Sequence, residues 1–447
     1  MTAEQPTVLH RNRGESRTLR PPDGRRSNLS LVLQSLYDQP QLTRPDLARL
    51  TGLTKVTICD LVAQLIDEGW VSETGVTSGV RPGKPAATLA VREDSHQIIA
   101  LDLSAPDIWR GGVYSLRGVK SAQVNLDLAE SLVGDAATTA VLDLVGRCLA
   151  EATQPILGIG VGSPGLVDAA GTVIAAPNLG WRQVDLQHVI ASHFALPTAV
   201  QNDANAAVVA EKAFASGGND LIRVQIARGV GVGILVSGSP VLGASAAAGE
   251  IGHTVIEHRG EPCSCGKRGC LETWISVPAL NRRLRDAELG AGTGGAPANG
   301  AGSRHATRST HAGRGEYACC DYAQRDGGEG VPQCDGGEGV PQCDGGGLAP
   351  QNVGDGRSSD SVLAEAGRRL GIALSMVVAA LDVPEIVLGG PPELIGEGFL
   401  EACRDLIIER THSPFRRDFS MRLSNLGDEA VLLGAVSLVL RTTLGVS

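Results

Sequence analysis

The chain is poor in aromatic residues, which make up 3% of its 447 residues, and it has no apolar run as long as a membrane span. Its N-terminal segment also lacks the apolar core of a secretory signal. These absences favour a soluble, cytoplasmic protein with no membrane partner. Because thiols stay reduced in the cytoplasm, the ten cysteines are expected to be free or metal-bound rather than paired in disulfides.

Negative charge dominates, with a net of −10, but it is unevenly distributed. Residues 1–92 carry a net charge of +3 and the remaining residues carry −13. An acidic body with a mildly basic head is typical of a nucleic-acid-binding head attached to a larger domain. The asymmetry by itself is equally compatible with chance variation in surface charge.

The N-terminal hundred residues indicate a DNA-binding head. Residues 1–27 are rich in Arg and Pro without periodicity, which predicts a disordered arm. Thr43 is a candidate cap for one short helix that ends at Gly52, and Thr54 is a candidate cap for a second. Two short helices joined by a tight turn predict a helix-turn-helix, placed within residues 28–92.

The second helix would lie in the major groove, and a basic hairpin would follow it as a wing. The apolar stripe predicted for its buried face comprises Val56, Ile58, Leu61, Val62, Leu65 and Ile66. The residues predicted to contact DNA are Thr54, Lys55, Thr57 and Cys59 on the helix and Arg81 and Lys84 at the wing tip. The sequence therefore predicts a winged helix-turn-helix (α+β) that binds double-stranded operator DNA, with a small helical protein-interaction domain as the alternative.

From residue 97 onward, apolar strands and Gly-rich turns alternate with helical segments, which predicts an α/β body over residues 97–447. Residues 97–103 and 109–116 read as a hairpin, and a further strand is predicted at 222–236. The pattern breaks at about 286–360, where the sequence is Gly-rich and repeats DGGEGVPQC twice. Such a stretch cannot bury enough apolar surface to fold alone, which predicts a disordered insertion.

Three cysteines lie within eight residues in CSCGKRGC, residues 263–270. Their spacing is C-x-C-x4-C, and the C-x-x-C pair typical of a redox site is absent. His253 precedes the first cysteine by ten residues, and His258 is a rival for the same role. One imidazole and three thiolates form a set that structural zinc prefers, so the predicted ligands are His253, Cys263, Cys265 and Cys270.

The residues from Gly249 to Glu272 read G-E-x-G-H followed by C-x-C-G-x-x-G-C-x-E, which resembles the hallmark of the ROK family of repressors and sugar kinases. The resemblance also includes GIGVGSPGLVDAAGTVIAAPNLGW, QNDANAA and IVLGG. It implies an α/β, two-lobed, actin-like ATPase (sugar kinase) fold for the body. With the N-terminal head, it implies a sugar-responsive transcriptional regulator of that family, a repressor acting as a homodimer or homotetramer.

The resemblance also assigns residues to a sugar site. Sugar hydroxyls would be bound by Gly165, Asn178, Asn202, Asp203, Glu250, His253 and Glu272. Carboxylates and amides suit vicinal hydroxyls, which both donate and accept hydrogen bonds. Asp203 stands at the catalytic position of the family's general base. The effector implied is a sugar or a sugar phosphate.

Two motifs that bind ATP phosphates in the family are degraded here. The first resembles D-x-G-G-T, but Asp102 is followed by LSAPD, so that Pro106 removes an amide donor. The second resembles G-T-G-x-G, but the chain reads ARGVG, with Arg228 in place of a small hydroxyl residue. ATP is therefore not expected as a cofactor, and a sensor is favoured over the alternative, an active ROK sugar kinase with an accessory DNA-binding head.

Overall fold

The head begins with three helices, of which the second and third start directly after a capping residue. The residues that this computed structural model describes are 21–76, 86–128, 132–292, 358–412 and 419–446. The helices are α1 (Pro21–Asp38), α2 (Arg44–Thr51) and α3 (Lys55–Asp67). Thr43 caps α2 in a capping box, Gly52 ends it in the left-handed conformation, and Thr54 caps α3, as predicted.

Two features of these helices differ from the predictions. Helix α1 begins at Pro21, so residues 21–27 are helical instead of belonging to a disordered arm. Val56 was placed on the buried stripe of α3 but is 72% exposed. At about 100° per residue, the two-residue step between Val56 and the buried Ile58 turns Val56 to the opposite side of the helix.

A small antiparallel sheet completes the head. Its strands are β1 (Leu42–Thr43), β2 (Val71–Val76) and β3 (Ala87–Val91), in the order β1-β3-β2. Residues 77–85, which include the predicted wing-tip residues Arg81 and Lys84, lie outside the described residues.

The body contains two five-stranded sheets with the same topology. The first consists of β4 (Gln97–Asp102), β5 (Ile108–Ser115), β6 (Lys120–Asp127), β7 (Ile156–Ser163) and β11 (Thr198–Asn202). Between β7 and β11 the chain forms three short strands outside this sheet, β8 (Leu166–Val167), β9 (Val173–Ala176) and β10 (Trp181–Val184). The second consists of β12 (Leu221–Ile226), β13 (Val230–Val236), β14 (Ser239–Pro240), β15 (Glu385–Gly389) and β16 (Ser420–Leu423).

Both sheets have the spatial order third, second, first, fourth and fifth strand along the chain. In each, the first three strands are antiparallel and the last two run parallel to the first. The stretch 222–236, predicted as a strand, is two antiparallel strands, because the chain reverses at Ala227–Gly229.

Helices cover and join the two sheets. They are α4 (Asp135–Ala150), α5 (Leu186–Phe194), α6 (Asp203–Phe214), α7 (Glu272–Ile275), α8 (Val277–Gly292), α9 (Ser359–Leu381), α10 (Glu397–Arg410) and α11 (Ala430–Thr443). Helix α11 packs on the first sheet, α6 packs on the second, and the two helices pack against each other. The lobes therefore meet through α6 and α11. In the described part of the chain, no helix is both long and apolar enough to cross a membrane.

The predicted insertion at 286–360 lies between α8 and α9. Helix α8 extends to Gly292 and α9 begins at Ser359, so the two ends of that stretch are helical. Residues 293–357, with the repeated nonapeptide, lie outside the described residues.

The head and the first lobe share one hydrophobic core. Leu36, Leu47 and Leu61 of the head belong to the same buried cluster as Val436 and Leu440 of α11. Because this cluster crosses the boundary between head and body, a movement of α11 relative to the first sheet would disturb the packing of the head.

Candidate functional site

Four potential metal ligands converge after the 3₁₀ turn Glu250–His253. Their donor atoms all lie within 4.8 Å of one another in the set His253, Cys263, Cys265 and Cys270. The Sγ atoms of Cys265 and Cys270 are 3.7 Å apart, and Nδ1 of His253 is 3.4 Å from Sγ of Cys263. Metal bonds of about 2.3 Å to sulfur and 2.0 Å to nitrogen separate tetrahedral ligand atoms by roughly 3.5–3.8 Å. The four side chains therefore fit a tetrahedral metal ion.

The loop that carries the cysteines is shaped by its backbone. The N–H of Cys263 donates to the carbonyl of Lys267 at 2.8 Å, which closes the turn that holds the C-x-C pair. Gly269 has φ 73 and lies against the carbonyl of Glu257, where no side chain would fit. His258 is exposed and lies outside the ligand cluster, so the geometry favours His253 over its rival.

Two of the thiols have opposite electrostatic environments. A hydrogen bond from the backbone N–H of Lys267 lowers the pKa of the Cys265 thiol. Burial, together with the neighbouring thiols, raises the pKa of Cys270 to about 12. A cation would bind both as thiolates, since a coordinating thiol is deprotonated.

Two carboxylates border this cluster, and both were predicted as sugar ligands. Glu250 Oε2 lies 3.9 Å from Nε2 of His253, the ring nitrogen that faces away from the cysteines. Glu272 Oε2 accepts from the backbone N–H of Val230 at 3.2 Å, and its Oε1 lies 3.8 Å from Sγ of Cys263. An outer carboxylate on the second ring nitrogen is the usual partner of a metal-ligating histidine, because it fixes the tautomer and the orientation of the ring.

The second group of predicted sugar residues lies where β11 meets α6. The side chain of Asn202 caps α6 by accepting from the N–H of Asn205 at 3.0 Å. Its Nδ2 donates to the carbonyl of Gly165 at 2.9 Å and to Oδ1 of Asp203 at 2.8 Å. Gly165 has φ 84 and touches the main chain of Ala175, which leaves no space for a side chain. Gly165, Asn202 and Asp203 thus form one hydrogen-bonded unit.

Asp203 has an unusual protonation equilibrium. Burial raises the pKa of its carboxyl to about 7, and the negative charges of Asp102 and Glu250 act in the same direction. Hydrogen bonds from the N–H of Ala204 and from Asn202 oppose the rise. The charge of Glu250 thus acts both on Asp203 and, at the rim of the cysteine cluster, on His253. A carboxyl group near pKa 7 can accept or donate a proton at neutral pH.

The remaining predicted sugar residue lies apart from these contacts. Asn178 is exposed in the 3₁₀ turn Pro177–Leu179, and within the described residues no hydrogen bond joins it to Asn202 or Asp203. The other six predicted sugar ligands fall into two groups of contacts, Gly165, Asn202 and Asp203 in one and Glu250, His253 and Glu272 in the other. Asp102 joins them although it was considered only as part of a phosphate turn; its position at the end of a buried strand was the available signal.

The two degraded phosphate turns border the same region. The carboxylate of Asp102 accepts from the N–H of Ser104 at 2.9 Å and is almost fully buried, which raises its pKa. Arg228 is exposed in the turn between β12 and β13. The next residue, Gly229, lies against the carboxylate of Glu272. The second turn therefore contacts a predicted sugar ligand directly.

The helix predicted to contact DNA uses some of its polar side chains internally. The hydroxyl of Thr54 accepts from the N–H of Thr57 at 3.2 Å and lies 2.9 Å from the Thr57 hydroxyl. Both threonines thus serve the helix cap, although Thr54 is exposed, whereas Lys55 and Cys59 are exposed members of the predicted set that take no part in the cap. Val56, which lies between them in sequence, is the exposed residue that the apolar-stripe prediction missed.

Polar contacts reinforce the joint between head and body. Tyr37 Oη donates to the carbonyl of Leu116 at 2.8 Å. The guanidinium of Arg117 stacks 4.1 Å from the centre of the Tyr37 ring and donates to the Tyr37 carbonyl at 2.6 Å. The ring of Trp70 stacks on His96 with centroids 4.5 Å apart. These contacts hold the head in a defined position on the first lobe.

Comparison with known proteins gives consistent results. The model of the ROK family matches residues 116–316. The chain is 27% identical over 423 residues to the xylose repressor of Caldicellulosiruptor bescii, covering 92% of this chain and 95% of that protein. It is 31% identical over 268 residues to the xylose repressor of Bacillus spizizenii, covering 58% of this chain and 68% of that protein.

Among solved structures, the fold matches a ROK family transcriptional regulator described as a homologue of the Escherichia coli Mlc protein. The TM-score is 0.71 at 21% identity, and the match covers 94% of this chain and 97% of the other. The match extends over head and body, which confirms the predicted two-lobed, actin-like α/β body with an additional N-terminal region.

Proposed function

The chain belongs to the ROK family, and on that premise we propose that it is a sugar-responsive, DNA-binding transcriptional repressor. The observation that carries this proposal is the presence, in one chain, of a helix-turn-helix head whose core is continuous with a sugar-kinase-like body. The similarity to xylose repressors over nearly the whole length of both chains supports the same conclusion. In this arrangement, an effector bound in the body controls how the head engages an operator.

The effector is a sugar or a sugar phosphate. Asn202, Asp203 and Glu250 supply the carboxylate and amide groups that bind vicinal hydroxyls, with Glu272 and His253 behind them at the cysteine cluster. Both relatives described above carry the name xylose repressor, so xylose is the first sugar to test. Gly165 and Asn178 complete the proposed set.

Zinc is the proposed occupant of the cluster formed by His253 and the three cysteines. Three thiolates and an imidazole leave no position open for substrate, which is typical of a structural ion. Its role would be to fix the conformation of the loop between Glu250 and Glu272, and so to fix the positions of these two proposed sugar ligands. No catalytic step is assigned to it.

The same site would bind sugar without phosphorylating it. Asp203 occupies the position of a general base, but phosphoryl transfer also requires turns whose amides approach the phosphates closely. Pro106 has no N–H to offer in the first turn, and Arg228 replaces a small residue in the second. The base position is therefore vestigial, and ATP is not a cofactor. Measurable ATP-dependent phosphorylation of a hexose or pentose would instead favour the alternative, an active kinase with an accessory head.

DNA contact would come from a winged helix-turn-helix, with α3 in the major groove and Arg81 and Lys84, between β2 and β3 in the sequence, against the backbone. An operator with two half-sites requires two heads, so the active form is proposed to be a homodimer or a homotetramer. Closure of the lobes on sugar would shift α6 together with the packed α11 and so change the position of the head.

The test is DNA binding by the full chain, measured by fluorescence anisotropy on a duplex enriched from a random pool. Xylose, glucose and their phosphates are added in turn, and at least one should weaken binding. Asp203→Ala should abolish this response while preserving binding without sugar, whereas Asp143→Ala, a surface residue of α4 paired with Arg147, should keep it. The proposal fails if no duplex is enriched, or if no sugar in the panel changes the binding.

A further inference from the structure

The outward face of α3 is defined by the side opposite its core contacts. The buried side consists of Ile58, Leu61, Val62 and Leu65. At about 100° per residue, the direction opposite this side falls on positions 56, 60, 63 and 67. Each of these residues is exposed: Val56, Asp60, Ala63 and Asp67. A helix that rests on the head through its buried side presents this stripe to a bound duplex.

Three polar side chains beside the stripe are already engaged in hydrogen bonds. Gln64 accepts from Arg25 at 2.8 Å and donates to Glu68 at 2.7 Å, so both ends of its amide are engaged. The hydroxyls of Thr54 and Thr57 are engaged with each other at the cap. Asp60, in contrast, makes no hydrogen bond or ion pair with any residue that the structure describes.

The chemistry of the outward stripe is apolar and acidic. An arginine or lysine at its centre would read guanine through the O6 and N7 acceptors, but no basic residue occupies the stripe. Val56 offers two methyl groups, which suit the C5-methyl group of thymine. Asp60 offers only acceptors, which suit the N4 amino group of cytosine and are repelled by phosphates.

We propose that α3 reads pyrimidines, with Val56 against the methyl group of a thymine and Asp60 accepting from the amino group of a cytosine. The inference rests on the proposed DNA-binding function and names the bases that it recognises. The two side chains lie four residues apart, or about 6 Å along the helix axis. With a rise of about 3.4 Å per base pair, the two bases are about two base pairs apart. Lys55, at the start of the helix, would contact a phosphate.

The experiment begins with selection of duplexes from a random pool by the full chain. In the enriched duplex, each thymine is replaced by uracil in turn, which removes only the methyl group. For wild type, one replacement should weaken binding about fourfold, as expected for loss of one buried methyl group. Val56→Ala should remove this penalty. Val119→Ala, an equally exposed valine in the β5–β6 turn, should leave it unchanged.

The Asp60 contact is tested by changing each cytosine to thymine, with its complement, in the same duplex. Wild type should lose binding on the order of tenfold at one position, because an acceptor replaces the N4 donor. Asp60→Ala should abolish this discrimination, while Asp67→Ala at the far end of the stripe should retain it. The readout is the ratio of the affinity for the cytosine duplex to that for the thymine duplex. Loss of a carboxylate also reduces repulsion from phosphates, but this changes both affinities alike and leaves the ratio unaffected.

The outcomes separate the two proposals. If no duplex is enriched, the DNA-binding function and this inference both fail. If a duplex is enriched but Val56→Ala keeps the uracil penalty and Asp60→Ala keeps the preference for cytosine, the repressor proposal stands and the pyrimidine readout is overturned.

Discussion

Gly434 of α11 lies directly against the main chain of Ala206 in α6, so closely that a side chain at position 434 would overlap the Ala206 carbonyl. Helix α6 begins at Asp203 in the proposed sugar site, and α11 contributes to the core that contains the head. This contact therefore joins the proposed effector site to the head through two packed helices. A ligand that shifted α6 would also displace α11, because closely packed helices cannot slide independently.

Gly434→Ala should lower the free energy of unfolding by about 1–3 kcal/mol, because the added methyl group overpacks a backbone contact. Gly146→Ala is the matched control, since a methyl group at this position of α4 meets nothing within 4 Å. The control should be neutral or stabilising by up to about 1 kcal/mol, as alanine favours the helix. Chemical denaturation of both variants provides the comparison, and equal stability of Gly434→Ala and wild type would contradict the close packing.

Cys265→Ser should release the proposed zinc ion and lower the free energy of unfolding by about 3 kcal/mol or more, because metal binding contributes to folding. Metal content by mass spectrometry and thermal unfolding are the two measurements. Cys59→Ser removes an exposed cysteine of α3 that lies outside the cluster, and it should retain the metal. A Cys265→Ser protein that kept its full metal content would refute the assignment.

Asp203→Asn should alter how stability depends on pH. The pKa of Asp203 is about 7 in the folded chain, against an ordinary value of 3.8. Between these values the folded state holds a proton that the unfolded state has released, so the wild type loses stability as the pH rises from about 4 to 7. The variant does not titrate there. Its free energy of unfolding should therefore increase relative to that of wild type as the pH rises, by at most about 4 kcal/mol above pH 7.

Denaturation of both proteins at pH 5, 6, 7 and 8 measures this difference. Titrations of groups that do not interact with Asp203 are common to the two proteins and cancel in the comparison. A constant difference across this range would show that the carboxyl group of Asp203 has an ordinary pKa.

Arg117→Ala should weaken the joint between head and body. The arginine stacks on the ring of Tyr37 and donates to its carbonyl, and both contacts cross the boundary. Without them the head is less firmly positioned, so the effect of sugar on DNA affinity should fall several-fold while sugar binding itself is preserved. Arg147→Ala, in an exposed pair with Asp143, controls for loss of a surface charge. Isothermal calorimetry for sugar and anisotropy for DNA separate the two quantities.

Local patterns in the sequence determined a large part of this protein. The capping residues Thr43 and Thr54 predicted helices α2 and α3 of the head, because a cap acts within three residues of itself. The thiols and the imidazole of the cluster were identified by type and spacing, since the whole ligand set lies within eighteen residues of chain, from His253 to Cys270. The family resemblance then supplied the two-lobed fold and the candidate sugar residues.

The tertiary structure decided which distant segments of the chain contact one another. The choice of His253 over His258, the exposure of Val56 and the elevated pKa of Asp203 depend on how separate elements pack. The continuous core between head and body joins residues some 400 positions apart, which no local periodicity encodes. Burial and close packing are properties of the assembled chain. The sequence by itself therefore indicated the components of a sugar-responsive repressor, and only the fold showed which packing contacts connect them.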